Sequence, residues 1–264
     1  MLLYERDKIF MAIKYRDDPG LKFLAMCDND DVSNLAQILI YDTDGEIRRT
    51  SSILTDPGFT KHLEDSRRWV KSWEVVAGEL QLYGGDSVVN LFRGTGVLYE
   101  EILDDVCERV SVKISDADKE IVQKEEKHIE FLANKAWEKM SEAQREEFLR
   151  KANLIERFKD VTGLSPVRLA LATGGAAAMM VYEYVASALL ASLGVGLGAR
   201  MVGPMAMQFI GTRFGATTLA GPFALVLGAA LTIPMLSGTA YRVTMPAVIQ
   251  IAYMRKKYLE RDLF

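Results

Sequence analysis

The chain has 264 residues, 26% of them charged and 49% hydrophobic, with a formal net charge of −4. That length gives room for one large domain or two smaller ones, each able to bury a core. The average hides a split near Gly163: residues 1–163 hold 33 acids and 24 bases, net −9, whereas residues 164–264 hold 3 acids and 8 bases, net +5. Neither part carries the dense basic stripe that nucleic acid demands, which excludes a nucleic-acid partner. Cys27 and Cys107 stand far apart without a CxxC, a usage that fits reduced thiols in a cytoplasmic compartment. The opening MLLYERDKIF is interrupted by Glu5 and Arg6 and precedes no cleavage-site pattern, so it does not read as a secretory signal.

Residues 1–15 fit either a short helix or a loose arm. Asp17-Asp18-Pro19 reads as a helix start, with Asp18 as cap and Pro19 at the first helical position. A second short helix is expected from about Asp30, with Val32, Leu35, Ala36 and Leu39 on one face. Asp42-Thr43-Asp44-Gly45 ends it in a turn; the later oxygen ligands of a calcium loop are missing at the required offsets. The spacing of Trp69, Trp73, Val76 and Leu80 predicts a longer helix over about 61–83, stopped by Gly84-Gly85. After Gly94-Thr95-Gly96 another helix is expected over about 97–110. Ser115-Asp116 opens a charged helix with Ile121, His128, Leu132, Ala136 and Trp137 inward. Ser141-x-x-Gln144 has the capping-box pattern and starts a further amphipathic helix with Phe148, Ala152 and Ile155 on one side. With no convincing strand pair, the expected fold class is all-α: an acidic helical domain over 1–163, with a short module at 16–41, followed by a Gly/Ala-rich apolar helical domain over 164–264.

Beyond Ser165-Pro166, again a cap followed by proline, the only charges up to Tyr253 are Arg168, Glu183, Arg200, Arg213 and Arg242. The stretch from Phe214 to Tyr241 has none, and would extend roughly 42 Å as one helix. Pro222 and Pro234 argue against a single helix, and the piece between them would be only about 18 Å long. Small residues recur at every fourth position in Ala170/Gly174/Ala178, Gly194/Gly198 and Ala224/Gly228/Thr232, a spacing that lets helices approach closely in lipid or in a tight core. Arg255-Lys256-Lys257 supplies cations that suit an anionic membrane surface. By the positive-inside tendency both ends share one compartment, which allows a re-entrant hairpin or an even number of crossings; the short, proline-broken segments favour the hairpin, with its tip near 194–204 or 212–221.

Two stretches resemble a known family. Residues 77–106 read AGELQLYGGDSVVNLFRGTGVLYEEILDDV, and 237–255 read SGTAYRVTMPAVIQIAYMR. Both are similar to the YaaW family of uncharacterised bacterial proteins, and RDDPGLKFLAMCDNDDVSNLAQIL at 16–39 suggests its short N-terminal module. The resemblance implies a C-terminal part akin to a ubiquinol–cytochrome c chaperone domain; it implies a family rather than an activity. Its motif residues here are Glu79, Gly84, Gly85, Asp86, Asn90, Arg93, Gly94, Tyr99, Asp105, Tyr241, Arg242 and Pro246.

Among these, Glu79, Asp86, Asn90, Arg93, Tyr99 and Asp105 form the densest polar set. They read first as a hydrogen-bonded knot holding three helices, with Arg93 pairing Glu79 or Asp105; the alternative is an anion or peptide site gripped by Arg93. Arg93-Gly94-Thr95-Gly96 lacks the Lys-Ser/Thr ending of a phosphate loop. His62 and His128 have no ligand-spaced partners, and no signature supports a Cys107–His128 nucleophile pair. The sequence therefore calls for no catalytic residue, metal or cofactor. The expected function is a non-enzymatic amphitropic protein at the inner membrane, cytoplasmic and peripheral or integral. It would meet the lipid surface through residues 164–254, with a stress or defence role and homo-oligomerisation as options. The alternative is a soluble assembly factor for membrane-protein clients.

Overall fold

Helices account for the regular structure among the described residues, as the 3.6-residue apolar spacing requires. The computed structural model describes residues 12–42, 45–84, 96–115, 118–151, 153–156, 165–196 and 241–261, with only the backbone path for 151 and 187–196. After a 3-10 turn at Lys22–Met26 come α1 (Asn29–Ile40), α2 (Pro57–Thr60), α3 (Arg68–Lys71), α4 (Trp73–Gly84) and α5 (Tyr99–Arg109). There follow α6 (Ile121–Lys139), α7 (Glu142–Lys151), α8 (Pro166–Thr173), α9 (Gly175–Gly196) and α10 (Tyr241–Glu260). The fold is all-α; the β-type pairing among the described residues is an isolated Tyr41–Ile47 bridge. It closes a turn in which Gly45 takes φ 82° and the Asp42 carboxylate accepts from Glu46 N at 3.0 Å.

Local chemistry explains most starts. Ser165 Oγ accepts from Arg168 N at 3.1 Å with Pro166 in the first helical position, which opens α8. Ser141 and Gln144 bond reciprocally, Gln144 Oε1 taking Ser141 N at 2.8 Å, and open α7. α6 begins later than Ser115-Asp116 suggests. Asp118 accepts from the backbone and hydroxyl of Ser115, and the helix starts at Ile121.

Two expected continuities are broken. The helix over 61–83 is interrupted, because Asn29 Oδ1 accepts from both Trp69 N at 3.0 Å and Val70 N at 3.3 Å and caps a new helix, α3. Asp65 takes Arg67 N at 2.7 Å and fixes the turn before it. The Ala170/Gly174/Ala178 stripe is also divided. Gly174 and Gly175 adopt φ 70° and 54°, so the chain turns there and the two alanines sit on different helices, both fully buried.

The helix at the centre is α10. It packs against α1, α4, α5, α6 and α9, and its residues from Val243 to Met254 are all buried. A helix apolar on every face is stable where it is enclosed on every face. The charge division near Gly163 is not repeated in the packing, since α10 shares one core with the acidic first part.

Candidate functional site

A buried polar junction forms where the N-terminal module, the GELQ segment, Tyr99, α6 and α10 converge. Asp18, nearly inaccessible, accepts from Gly20 N at 2.8 Å and Tyr99 N at 2.7 Å. Gln81 exchanges two bonds with the backbone of Arg16, donating to its carbonyl and accepting its N–H, each at 2.9 Å. It thus satisfies both backbone groups of Arg16. Arg16 in turn donates to the Gly96 carbonyl at 3.1 Å. Tyr99 is inaccessible, and its hydroxyl donates to Glu125 Oε1 at 2.6 Å. Arg255 donates from Nε to Glu125 Oε2 at 2.8 Å and from Nη2 to the Gly20 carbonyl at 2.6 Å, with its guanidinium 4.2 Å from the Phe23 ring centre.

The junction is closed electrostatically. Burial pushes the Glu125 carboxyl up, while Arg255 and the Tyr99 hydroxyl pull it back. Burial raises Tyr99 well above the phenol range, and the Glu125 charge adds to it, so Tyr99 stays a donor. Around the junction Lys124 binds Glu100 and Asp104 at 2.8 and 2.7 Å, and Lys257 binds Asp28 and, at 2.6 Å, Asp31. The Arg255-Lys256-Lys257 trio is therefore no free basic surface. Arg255 serves Glu125, Lys256 pairs with Glu260 at 2.9 Å, and Lys257 bridges to the start of α1.

The motif residues are placed as follows. Glu79 is buried on α4 and accepts from Ser52 N at 3.1 Å; burial pushes its carboxyl up to about 7, aided by Asp56. Asp105 is exposed on α5, beside Asp104, Glu101 and Glu108, so it is not a buried partner in a shared knot. Gly84 lies at the end of α4 against Ile102. Tyr241 lies under Arg109, 5.0 Å from ring centre to guanidinium, Arg242 is exposed, and Pro246 is buried inside α10. Gly85, Asp86, Asn90, Arg93 and Gly94 lie outside the described residues, and with them the Arg93 pairing. Asp18, Glu125 and Arg255 escaped the motif reading, because nothing local to each names a partner so far along the chain.

Cys107 is buried and its thiol is pushed up to about 12, so it is no thiolate nucleophile. His128 is inaccessible, neither ring nitrogen has a hydrogen-bond partner, and burial holds it down near 4. Among the described residues no group of three His, Cys, Asp or Glu side chains is placed to hold a metal.

The segment that Arg255 and Gln81 tie down coincides with a family model described as a domain of unknown function (DUF3944), matched over residues 15–49. Over nearly the full length the chain is similar to the UPF0174 protein YaaW of Escherichia coli K12. The identity is 34% over 255 residues, covering 93% of this chain and 97% of that protein. A UPF0174 protein of Helicobacter pylori J99 is 29% identical over 253 residues, 94% of each chain. A second from the same strain is 35% identical over 189 residues, 69% of this chain and 87% of its own. No solved structure matches the chain. With a relative this similar along almost all of both sequences, the chain belongs to the UPF0174 family, alongside the YaaW proteins.

Proposed function

We propose that this is a non-enzymatic amphitropic protein, which associates with or inserts into the inner membrane through residues 164–254. The observation that carries the reading is where its charge-poor stretch is attached. α9 and α10 pack against each other, and both pack against α6. Between them, residues 214–241 contain no charged side chain. A segment that leaves one folded body and returns to it must end on the side from which it started. That favours a re-entrant hairpin, or an even number of crossings, and the prolines at 222 and 234 suit short broken elements. Among the described residues no helix is long and apolar enough to cross a membrane. The proposed contact with lipid therefore falls to residues 197–240. The basic trio contributes little to it, since its three cations are engaged within the protein.

The test is a carbonate wash of membranes from cells producing the full-length protein, beside Leu225→Glu/Leu227→Glu. The wild type should stay with the membrane and the double variant should be released, both with the same melting temperature in solution. Complete release of the wild type would replace this reading with that of a soluble assembly factor for membrane-protein clients.

A further inference from the structure

A shallow cleft of about 440 Å³ opens where the turn after α5, one face of α6 and the first turn of α8 meet. Four cations and two acids line it. Both acids are answered: Arg168 lies 3.5 Å from Glu130, and Lys135 lies 3.5 Å from Glu138. Lys113 and Lys127 remain, with no ion pair among the described residues. Asp118, whose carboxylate Lys127 favours, is held chiefly by Ser115. The lining thus carries a net charge of +2, against −9 for residues 1–163. The cleft also has a defined place relative to the charge-poor stretch. Ser111, at its edge, follows Arg109 by two residues, and the Arg109 guanidinium lies 5.0 Å from the ring centre of Tyr241. Tyr241 is the first residue of α10, where the chain returns from residues 197–240.

Cations that are not spent on acids of their own protein are the ones an anionic bilayer surface attracts. The trio at 255–257 is spent in this way; Lys113 and Lys127 are not. Phe131, half-buried in the same lining, adds an aromatic ring of the kind that settles at headgroup level. The amides of Ser111 and Val112, which could have wrapped a small free anion, donate instead to the Glu108 and Cys107 carbonyls at 2.9 Å each. An open patch of lysines without a backbone cradle suits a surface of many phosphates better than one enclosed phosphate. We propose that this cleft docks the protein on anionic lipid, Lys113 and Lys127 taking headgroup phosphates at the bilayer face where residues 197–240 enter. The proposal rests on the reading of 197–240 as the lipid contact, and adds to it which lipids are selected.

The experiment floats the full-length protein with vesicles of phosphatidylcholine alone and of an equal mixture with phosphatidylglycerol. The wild type should bind the anionic vesicles at least about tenfold more tightly, and the preference should fade as salt is raised. Lys113→Gln/Lys127→Gln should lose that preference while keeping the wild-type melting temperature, because neither lysine has an ion pair to lose. Asn134→Glu, which keeps every lysine and puts an acid in the lining, should weaken anionic binding in the same direction. Lys14→Gln/Lys61→Gln, the same charge change at exposed positions outside the cleft, should leave the preference in place. Equal binding of the wild type to both vesicle types would overturn the cleft and leave the apolar contact standing, whereas binding to neither would remove both. An unchanged preference in the Lys113/Lys127 variant, or an equal loss in the control pair, also overturns the proposal. So does release from anionic vesicles by glycerol phosphate beyond that caused by chloride at the same ionic strength, which would reassign the cleft to a soluble phosphate ester.

Discussion

Arg255 divides its guanidinium among the Glu125 carboxylate, the Gly20 carbonyl and the face of Phe23. Removing it with Arg255→Met leaves Glu125 buried without a cation, a loss expected to cost about 3–5 kcal/mol. Arg255→Lys should recover little, because a compact ammonium lacks the planar fork whose Nε and Nη2 reach Glu125 and the Gly20 carbonyl while its face lies on Phe23. Arg255→Met combined with Glu125→Gln should be more stable than Arg255→Met alone, since the amide keeps an acceptor for Tyr99 and carries no charge. Thermal unfolding of the four proteins checks this; a double variant no better than the single would mean that the ion pair is not what the arginine supplies. At this scale the sequence was only partly legible. Arg255 stands beside two lysines and reads as one of three surface cations, and no local signal links it to an acid 130 residues away. Tyr99 and Gln81 were visible as motif letters, but their bonds to Glu125 and Arg16 were not.

At the scale of elements, α4 and α5 meet through glycine. A Cβ on Gly96 would lie 2.4 Å from Gln81 Cβ and 2.7 Å from the Gln81 carbonyl carbon, where Val97 N also donates to Gln81 O at 3.1 Å. A Cβ on Gly84 would lie 2.4 Å from Ile102 Cγ1. Alanine at either position should cost about 1–3 kcal/mol through overpacking, and more at Gly96, where backbone rather than a side-chain end must yield. Urea unfolding should show a lower midpoint with an unchanged slope; a midpoint equal to that of the wild type for Gly96→Ala would deny the close contact. The caps at Ser141 and Ser165 could be read ahead because cap and helix are neighbours in sequence. The division of 61–83 could not, because its cause is Asn29, whose bonds to Trp69 and Val70 span 40 and 41 residues.

For the whole molecule the fold class was legible from apolar periodicity, but the central place of α10 was not. A run such as Val243–Met254, apolar on all sides, has the same signature whether lipid or protein surrounds it; here α1, α4, α5, α6 and α9 do. Enclosure also sets how stability responds to pH, through two groups at opposite ends of the scale. Glu79 is raised by burial from 4.5 to about 7, so its contribution is full below 4.5 and is lost as pH rises to 7. His128 is lowered by burial from 6.5 to about 4, so its contribution is full above 6.5 and is lost as pH falls to 4. Each is worth on the order of 3 kcal/mol by linkage. Between pH 4.5 and 6.5 the folded state binds one proton more at Glu79 and one fewer at His128 than the unfolded chain, so the two slopes oppose and cancel. Removing either group should expose the other. Glu79→Gln should leave a protein that loses stability as pH falls through this range, while His128→Leu should leave one that loses stability as pH rises. Melting temperatures from pH 4 to 8 would separate the curves, crossing that of the wild type with slopes of opposite sign. Variant curves that run parallel to the wild type would show that neither group is held in the folded protein away from its ordinary protonation.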